Sequence, residues 1–361
     1  MHGILLSTVL LLPGVANGDD SADQPPISFA RQVRPILSEH CFKCHGMDAQ
    51  TRKAGLRLDT PGGLLGEDPL VVIPGRADAS LLMHRITHPD ASERMPPIES
   101  GEGLTSDEEA ILRQWINEGA SWEAHWSFVQ PDEVDPPEVP GASHPIDAFI
   151  QDRLRQEGLA PSSPATPSAR LRRVTLDLTG LPPSPMEQDA FLQDTSTEAW
   201  EAVVERLLDT PRYGEHQARY WLDAARYADT HGYHLDNERT MWMYRDWVIN
   251  AFNSNMPFDR FTIEQLAGDL LEDPTIEQRV ASGFNRCHST TNEGGAIKAE
   301  YLVKYVVDRV EATSTIWMGL TTGCAACHEH KYDPISQKEF YELFAFFNST
   351  AEDVMDGNAK E

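Results

Sequence analysis

Two pentapeptides of one pattern, Cys41-Phe42-Lys43-Cys44-His45 and Cys324-Ala325-Ala326-Cys327-His328, constrain this chain more than anything else in it. Two thiols three residues apart on one turn can each add S–H across a haem vinyl group and form a thioether. The adjoining histidine then lies under the porphyrin and offers an imidazole nitrogen to the iron. Four of the five cysteines fall in these motifs. A Cys₄ zinc site is the competing chemistry, but the pairs are separated by most of the chain and each is followed by histidine. A redox dithiol would want a βαβ setting, and none is evident. The pattern points to haem c at Cys41, Cys44 and His45, and again at Cys324, Cys327 and His328. Cys287 is the odd thiol, either buried or available for intermolecular pairing.

An iron held on one side by histidine needs its sixth position explained. Downstream of His45 lies Glu93-Arg94-Met95-Pro96-Pro97. Two prolines after a methionine make a stiff extended loop, which can hold a thioether sulfur in place with little further loss of chain entropy. Met95 is therefore the expected partner of His45, with Met83, His84 and His88 as rivals and ordinary core packing as the bland reading. His/Met ligation raises the reduction potential and suits electron transfer. No Met-Pro-Pro follows Cys327. For that second iron the candidate distal ligands are His231 and His234, with His288 a further option, and a position left open would make the iron reactive. The two histidines could instead join Asp236 and Glu238 in a metal or carbohydrate site. Asn292-Glu293-Gly294-Gly295 is a loop that could approach a ligand closely or be only a turn.

Met1 to Gly18 reads as a secretory signal peptide. An apolar run from Ile4 to Leu12 precedes Pro13-Gly14, and Ala16 and Gly18 occupy the −3 and −1 positions before Asp19. His2 is the sole candidate cation of its n-region. The run is too short to span a bilayer, and no later stretch approaches the roughly 18 apolar residues a span requires. The mature chain is thus expected to be periplasmic or otherwise extracytoplasmic, where covalent c-type attachment takes place, with no transmembrane segment. Lys and Arg total 30 against 57 Asp and Glu, a formal net charge of −27. That excludes nucleic acid and anionic membrane surfaces as generic partners. It favours a redox partner protein with a basic docking patch, although plain solubility would explain the charge equally well.

A length of 361 residues suggests two or three domains. Residues 131–143, rich in Pro and acid and without apolar period, read as an extended linker between a 24–130 domain and a 144–350 domain, with 351–361 as a tail. Both halves carry helical signatures and few alternating strands. Thr105-Ser106-Asp107-Glu108 is a capping box ahead of Ile111, Leu112, Trp115 and Ile116, with Gly119 closing the helix. Trp200, Val203, Val204, Leu207 and Leu208 follow the i, i+3, i+4, i+7, i+8 rule before Pro211. Further helices are expected over Ile146–Glu157, Tyr213–Arg226, Phe258–Leu271, Glu300–Leu320 and Ser336–Phe347. The expected fold class is all-α or mainly α.

The first domain resembles a class I cytochrome c. Phe29, Val33, Ile36 and Leu37 line a helix running into Cys41, against which the Thr105 helix would pack. Its wording is more specific: Val33-Arg34-Pro35-Ile36-Leu37, Gly55-Leu56-Arg57-Leu58-Asp59, Pro74-Gly75, Ser80-Leu81-Leu82, Arg94-Met95-Pro96-Pro97 and Trp115-Ile116 with Gly119-Ala120. Together with the first haem motif these are similar to the planctomycete-type cytochrome c domain. Thr175-Leu176-Asp177-Leu178-Thr179-Gly180-Leu181-Pro182-Pro183, Tyr244-Arg245-Asp246-Trp247, Ile263-Glu264-Gln265-Leu266-Ala267-Gly268-Asp269 and Cys327-His328 with His330-Lys331 and Asp333-Pro334-Ile335 resemble the uncharacterised domain that accompanies it in large secreted proteins. The resemblance implies that a further uncharacterised domain ordinarily follows, so that a chain ending soon after Phe347 reads as a fragment or a shortened member.

The expected function is an exported di-haem c-type cytochrome that relays electrons through a His45/Met95 haem. One alternative is a haem oxidoreductase acting at the second haem on an extracellular substrate, such as one derived from a polysaccharide. The other is a carbohydrate- or protein-binding module with a structural haem.

Overall fold

Caps and apolar spacing give this chain a helical architecture. The computed structural model describes residues 26–66, 70–101, 103–233, 236–352 and 354; the expected signal peptide and His234 lie outside the described residues. Among the described residues, extended pairing is limited to two isolated bridges, Thr230 with Glu238 and Gly232 with Thr290. The protein is mainly α. Its chain divides into two compact units, Met1–Gln130 with Lys331–Asp333, and Pro131–His330 with Pro334–Glu361.

In the first unit a wide helical turn at Phe29–Val33 leads into α1 (Arg34–His40) and α2 (Phe42–His45), followed by α3 (Pro61–Leu64), α4 (Leu81–Ile86) and α5 (Ser106–Asn117). The N-terminal turn is held by Glu123, whose carboxylate accepts from the Phe29 and Ala30 amides and the Ser28 hydroxyl. At the start of α5, Thr105 and Glu108 exchange side-chain and backbone hydrogen bonds, satisfying amides that a helix N-terminus leaves unpaired. Glu108 also meets His40 at 3.2 Å and so ties α5 to α1. Leu112, Trp115 and Ile116 of α5 are buried with Phe29, Val33, Ile36 and Leu37, one core built from both sequence-predicted faces. Phe29 lies between two tryptophans, with ring centroids 5.5 Å from Trp115 and 4.2 Å from Trp122.

The second unit begins with α6 (Pro145–Gln156), α7 (Pro167–Thr179), α8 (Pro185–Gln193), α9 (Ala199–Leu208) and α10 (Pro211–Ala224). Each carries proline in its first turn except α9, a position where the missing N–H is no loss. There follow α11 (Trp242–Asn253), α12 (Phe258–Ala267), α13 (Ile276–Ala281), α14 (Lys298–Thr313) and α15 (Gln337–Phe347). One cluster packs Ala218, Tyr244, Trp247, Phe261 and Phe284; another packs Val306 and Val310 of α14 with Ile335, Phe340 and Phe347. Ala325, the first variable residue of the second C-x-x-C-H, is fully buried in that latter cluster.

Candidate functional site

The first motif occupies the turn between α1 and α2. The Cys44 and His45 amides both donate to the Cys41 carbonyl, at 3.1 and 2.8 Å. A following loop locks this turn: Lys53 N donates to Cys44 O and Leu58 N to His45 O, both at 2.7 Å, while Arg52 Nε reaches Gly46 O at 2.9 Å. Beside the turn lies a cavity of about 860 Å³, within the ordinary range for cofactor sites. Its walls include Cys41, Cys44 and His45, the apolar Leu56, Leu58, Val71, Leu82 and Ile86, and Met95-Pro96-Pro97. Folding thus brings His45 and Met95, fifty residues apart in sequence, onto one cavity.

The sequence rivals of Met95 do not line it. Met83 is buried in the core on α4, and His88 Nδ1 faces the Asp90 backbone. His84, also on α4, is exposed. The Met95 amide donates to the carbonyl of Arg85 at 2.9 Å, which anchors its loop to the end of α4.

The electrostatics suit a covalently held porphyrin. Burial, reinforced by neighbouring Cys44, pushes the Cys41 thiol up to about 12, so the free group is a neutral S–H. Burial also lowers the pKa of His45, opposed by the Lys53 backbone, which favours a proton on the ring. His45 Nδ1 is buried and short of a well-aligned hydrogen bond. A metal-bound histidine holds its second N–H towards just such a backbone acceptor. Lys43 and Lys53 on the cavity wall match the carboxylates a haem carries. Among the described residues, no group of three or more His, Cys, Asp or Glu side chains is gathered for a metal ion.

The second motif is set differently. Cys324 and Cys327 are exposed free thiols on a tight turn, Gly323–Ala326, that ends at Cys327. Tyr341 Oη and Gln337 Nε2 of α15 donate to Ala326 O at 3.0 and 3.3 Å and hold the turn in place. His328 is exposed, with Nδ1 2.7 Å from Glu329 O, an arrangement that leaves Nε2 to serve as a ligand. His231 is buried; its Nδ1 meets Thr290 Oγ1 at 2.6 Å and its Nε2 has no hydrogen-bond partner. Both nitrogens of His288 are engaged, Nδ1 with Ser289 O and Nε2 with Arg309 and Glu352.

That last group is a buried cluster the sequence did not announce. Arg309 donates from Nη2 to Glu352 at 2.5 Å and from Nε to Asn285 O at 2.7 Å. Arg226 stands 3.0 Å from Asp308 in a misaligned pair. Nothing in the local sequence marks Arg309, and only tertiary packing reveals that it is fully enclosed.

Comparison with known families adds the decisive observation. A family model described as "Protein of unknown function (DUF1549)" matches residues 145–352, more than half the chain. The chain belongs to this DUF1549 family. A second model, described as "Planctomycete cytochrome C", matches residues 41–99, which include the first motif and Met95. The DUF1549 chain is therefore fused to an N-terminal cytochrome c domain, as its motifs lead one to expect, and the cytochrome family implies haem c. No curated protein and no solved structure matches it. No helix among the described residues is long and apolar enough to cross a membrane.

Proposed function

We propose that this DUF1549 protein is an exported electron-transfer cytochrome carrying two haems c. The observation that carries the reading is the single cavity that joins Cys41, Cys44 and His45 to Met95. Cys41 and Cys44 form the two thioethers, His45 is the proximal ligand and Met95 the distal one. When bound, the haem supplies a one-electron iron couple. The chain's own part would be to exclude water with Leu56, Leu58, Val71, Leu82 and Ile86, and to present the neutral sulfur of Met95 and the imidazole of His45 to the same cavity. A second haem attaches at Cys324 and Cys327 with His328 as proximal ligand, and His231 or His234 is its distal ligand. Met1 to Gly18 directs export, with cleavage near Gly18, to the periplasm or another extracytoplasmic space. The net charge of −27 steers a partner with a basic docking patch.

The exposure of Cys324, Cys327 and His328 favours a second reading, in which this iron is accessible and performs oxidoreductase chemistry on an extracellular substrate. A pyridine haemochrome spectrum with haem counted per chain, followed by carbon monoxide, separates the two. Two c-type haems that ignore carbon monoxide support electron transfer. One haem that responds supports the oxidoreductase. No haem, in a chain matured with a competent attachment system, overturns both.

A further inference from the structure

We propose that Arg85 is the positioning residue for the ligand loop that carries Met95, an inference that rests on the His45/Met95 reading above. Arg85 stands in the last turn of α4, whose neighbours Leu82 and Ile86 are buried in the core of the first unit. The residue grips the loop twice. Its carbonyl accepts the Met95 amide at 2.9 Å. Its guanidinium Nη1 donates to the Glu93 carbonyl at 3.1 Å and pairs with the Glu93 carboxylate.

Between these points the loop is ordered by itself. Asp90 Oδ1 accepts from the Ser92 amide and hydroxyl at 2.9 and 2.8 Å, and Asp90 O accepts from the Glu93 and Arg94 amides at 3.1 Å each. A closed local turn of this kind keeps its shape but not its place, and Arg85 supplies the place. Position matters because a thioether is a neutral, weak ligand whose bond to iron survives only while the sulfur is held within reach.

The Arg85 and Glu93 side chains are 43% and 54% exposed, so their pair contributes little to global stability. Its loss is read at the ligand and not in the fold. Both side-chain contacts leave from the one nitrogen Nη1, which carries two N–H protons and so serves the Glu93 carbonyl and carboxylate at once.

The test uses the haem-loaded full chain as wild type, R85A, R85K and E93Q. It follows the Met–iron(III) charge-transfer band, the midpoint potential, carbon monoxide uptake and helix content. R85A is expected to lose most of the band, to fall in potential and to take up more carbon monoxide than wild type, with helix content unchanged. R85K recovers part of the band, and E93Q, which keeps the contact to the Glu93 carbonyl, retains most of it. An R85A protein with the full band overturns the proposal. So does one whose potential moves while the band stays, which would assign Arg85 to a haem carboxylate. Should R85A misfold, R85K decides, and an unchanged band in it overturns the clamp. A wild type without the band overturns the Met95 reading itself and the proposal with it, an outcome distinct because no variant is involved.

Discussion

Glu352 is the residue whose removal gives the most calculable effect. Its carboxylate is 7% exposed, and the Arg309 and His288 side chains it meets are each 1% exposed. Burial alone would raise its pKa, but hydrogen bonds from His288 and Arg309, together with the guanidinium charge, outweigh burial and hold it down at about 2, against an ordinary 4.5. At roughly 1.4 kcal/mol for each tenfold change in proton affinity, that depression corresponds to ~3 kcal/mol of stability. Because the folded value is the lower one, this stabilisation is fully present above pH 4.5 and disappears as the pH falls towards about 2. Breaking a buried pair from one side gives a similar figure, about 3–5 kcal/mol. Glu352→Gln keeps the shape and removes the charge. Urea unfolding of the haem-loaded protein, read by hydrogen exchange of α14 amides so that only the second unit is scored, should show a deficit of about 3 kcal/mol at neutral pH that closes on acidification. A neutral-pH deficit below roughly 0.5 kcal/mol, the size of an ordinary surface substitution, would refute the argument. A deficit that stays constant down to pH 2 would refute it equally.

Three further outcomes follow from the first unit and the surface charge. Leu112→Ala, at a site 1% exposed between α5 and the Phe29 turn, should destabilise the first unit by about 2–5 kcal/mol in denaturant titration. Gly46→Ala places a Cβ 2.3 Å from Phe42 O, so the turn bearing His45 must shift and haem incorporated per chain should fall; Gly62→Ala, with open space around it, is the neutral control. Association with the natural redox partner should slow as salt is raised, and a salt-independent rate measured by stopped flow would remove electrostatic steering from the account.

The parts of this molecule written in short range were legible. Thr105 and Glu108 announce α5 three residues apart, and the cap forms as spaced. Pro96-Pro97 marks Met95 as a loop residue, whereas Met83, with helical neighbours, goes into the core. Helix ends were less legible. The pattern over Phe258–Leu271 runs on, but α12 stops at Ala267 and a tight turn follows over Gly268–Leu270, where Gln278 O lies 2.1 Å from the place a Cβ at 268 would take, so that position requires glycine. Likewise the helix expected to reach Leu320 ends at Thr313, where Ser314 Oγ binds Val310 O and Thr322 Oγ1 and a wide turn takes over. The His288, Arg309 and Glu352 cluster joins residues 21 to 64 positions apart, beyond any periodic signal.

The two C-x-x-C-H motifs show how the same five-residue code depends on what fills its variable positions. In the first, Phe42 lies partly buried against the core, Lys43 is exposed on the cavity wall, and Cys41 packs at the core edge facing the cavity. In the second, both variable residues are alanine. Ala325 is buried with Val310 of α14 and Phe340 of α15, while Cys324 and Cys327 on either side of the Ala pair are exposed. The Cys327 and His328 amides reach the Cys324 carbonyl only at 3.4 Å, against 3.1 and 2.8 Å in the first turn. The C-x-x-C-H spacing is common to both turns, but the first faces a cavity with Cys41 and Cys44 partly buried, whereas the second buries its alanine and exposes its cysteines. On that argument Ala325→Phe, too large for its position, should release the second turn and lower haem attachment there, leaving attachment at Cys41 and Cys44 intact by mass spectrometry of proteolytic haem peptides. Equal loss at both motifs would show that the buried alanine has no local role.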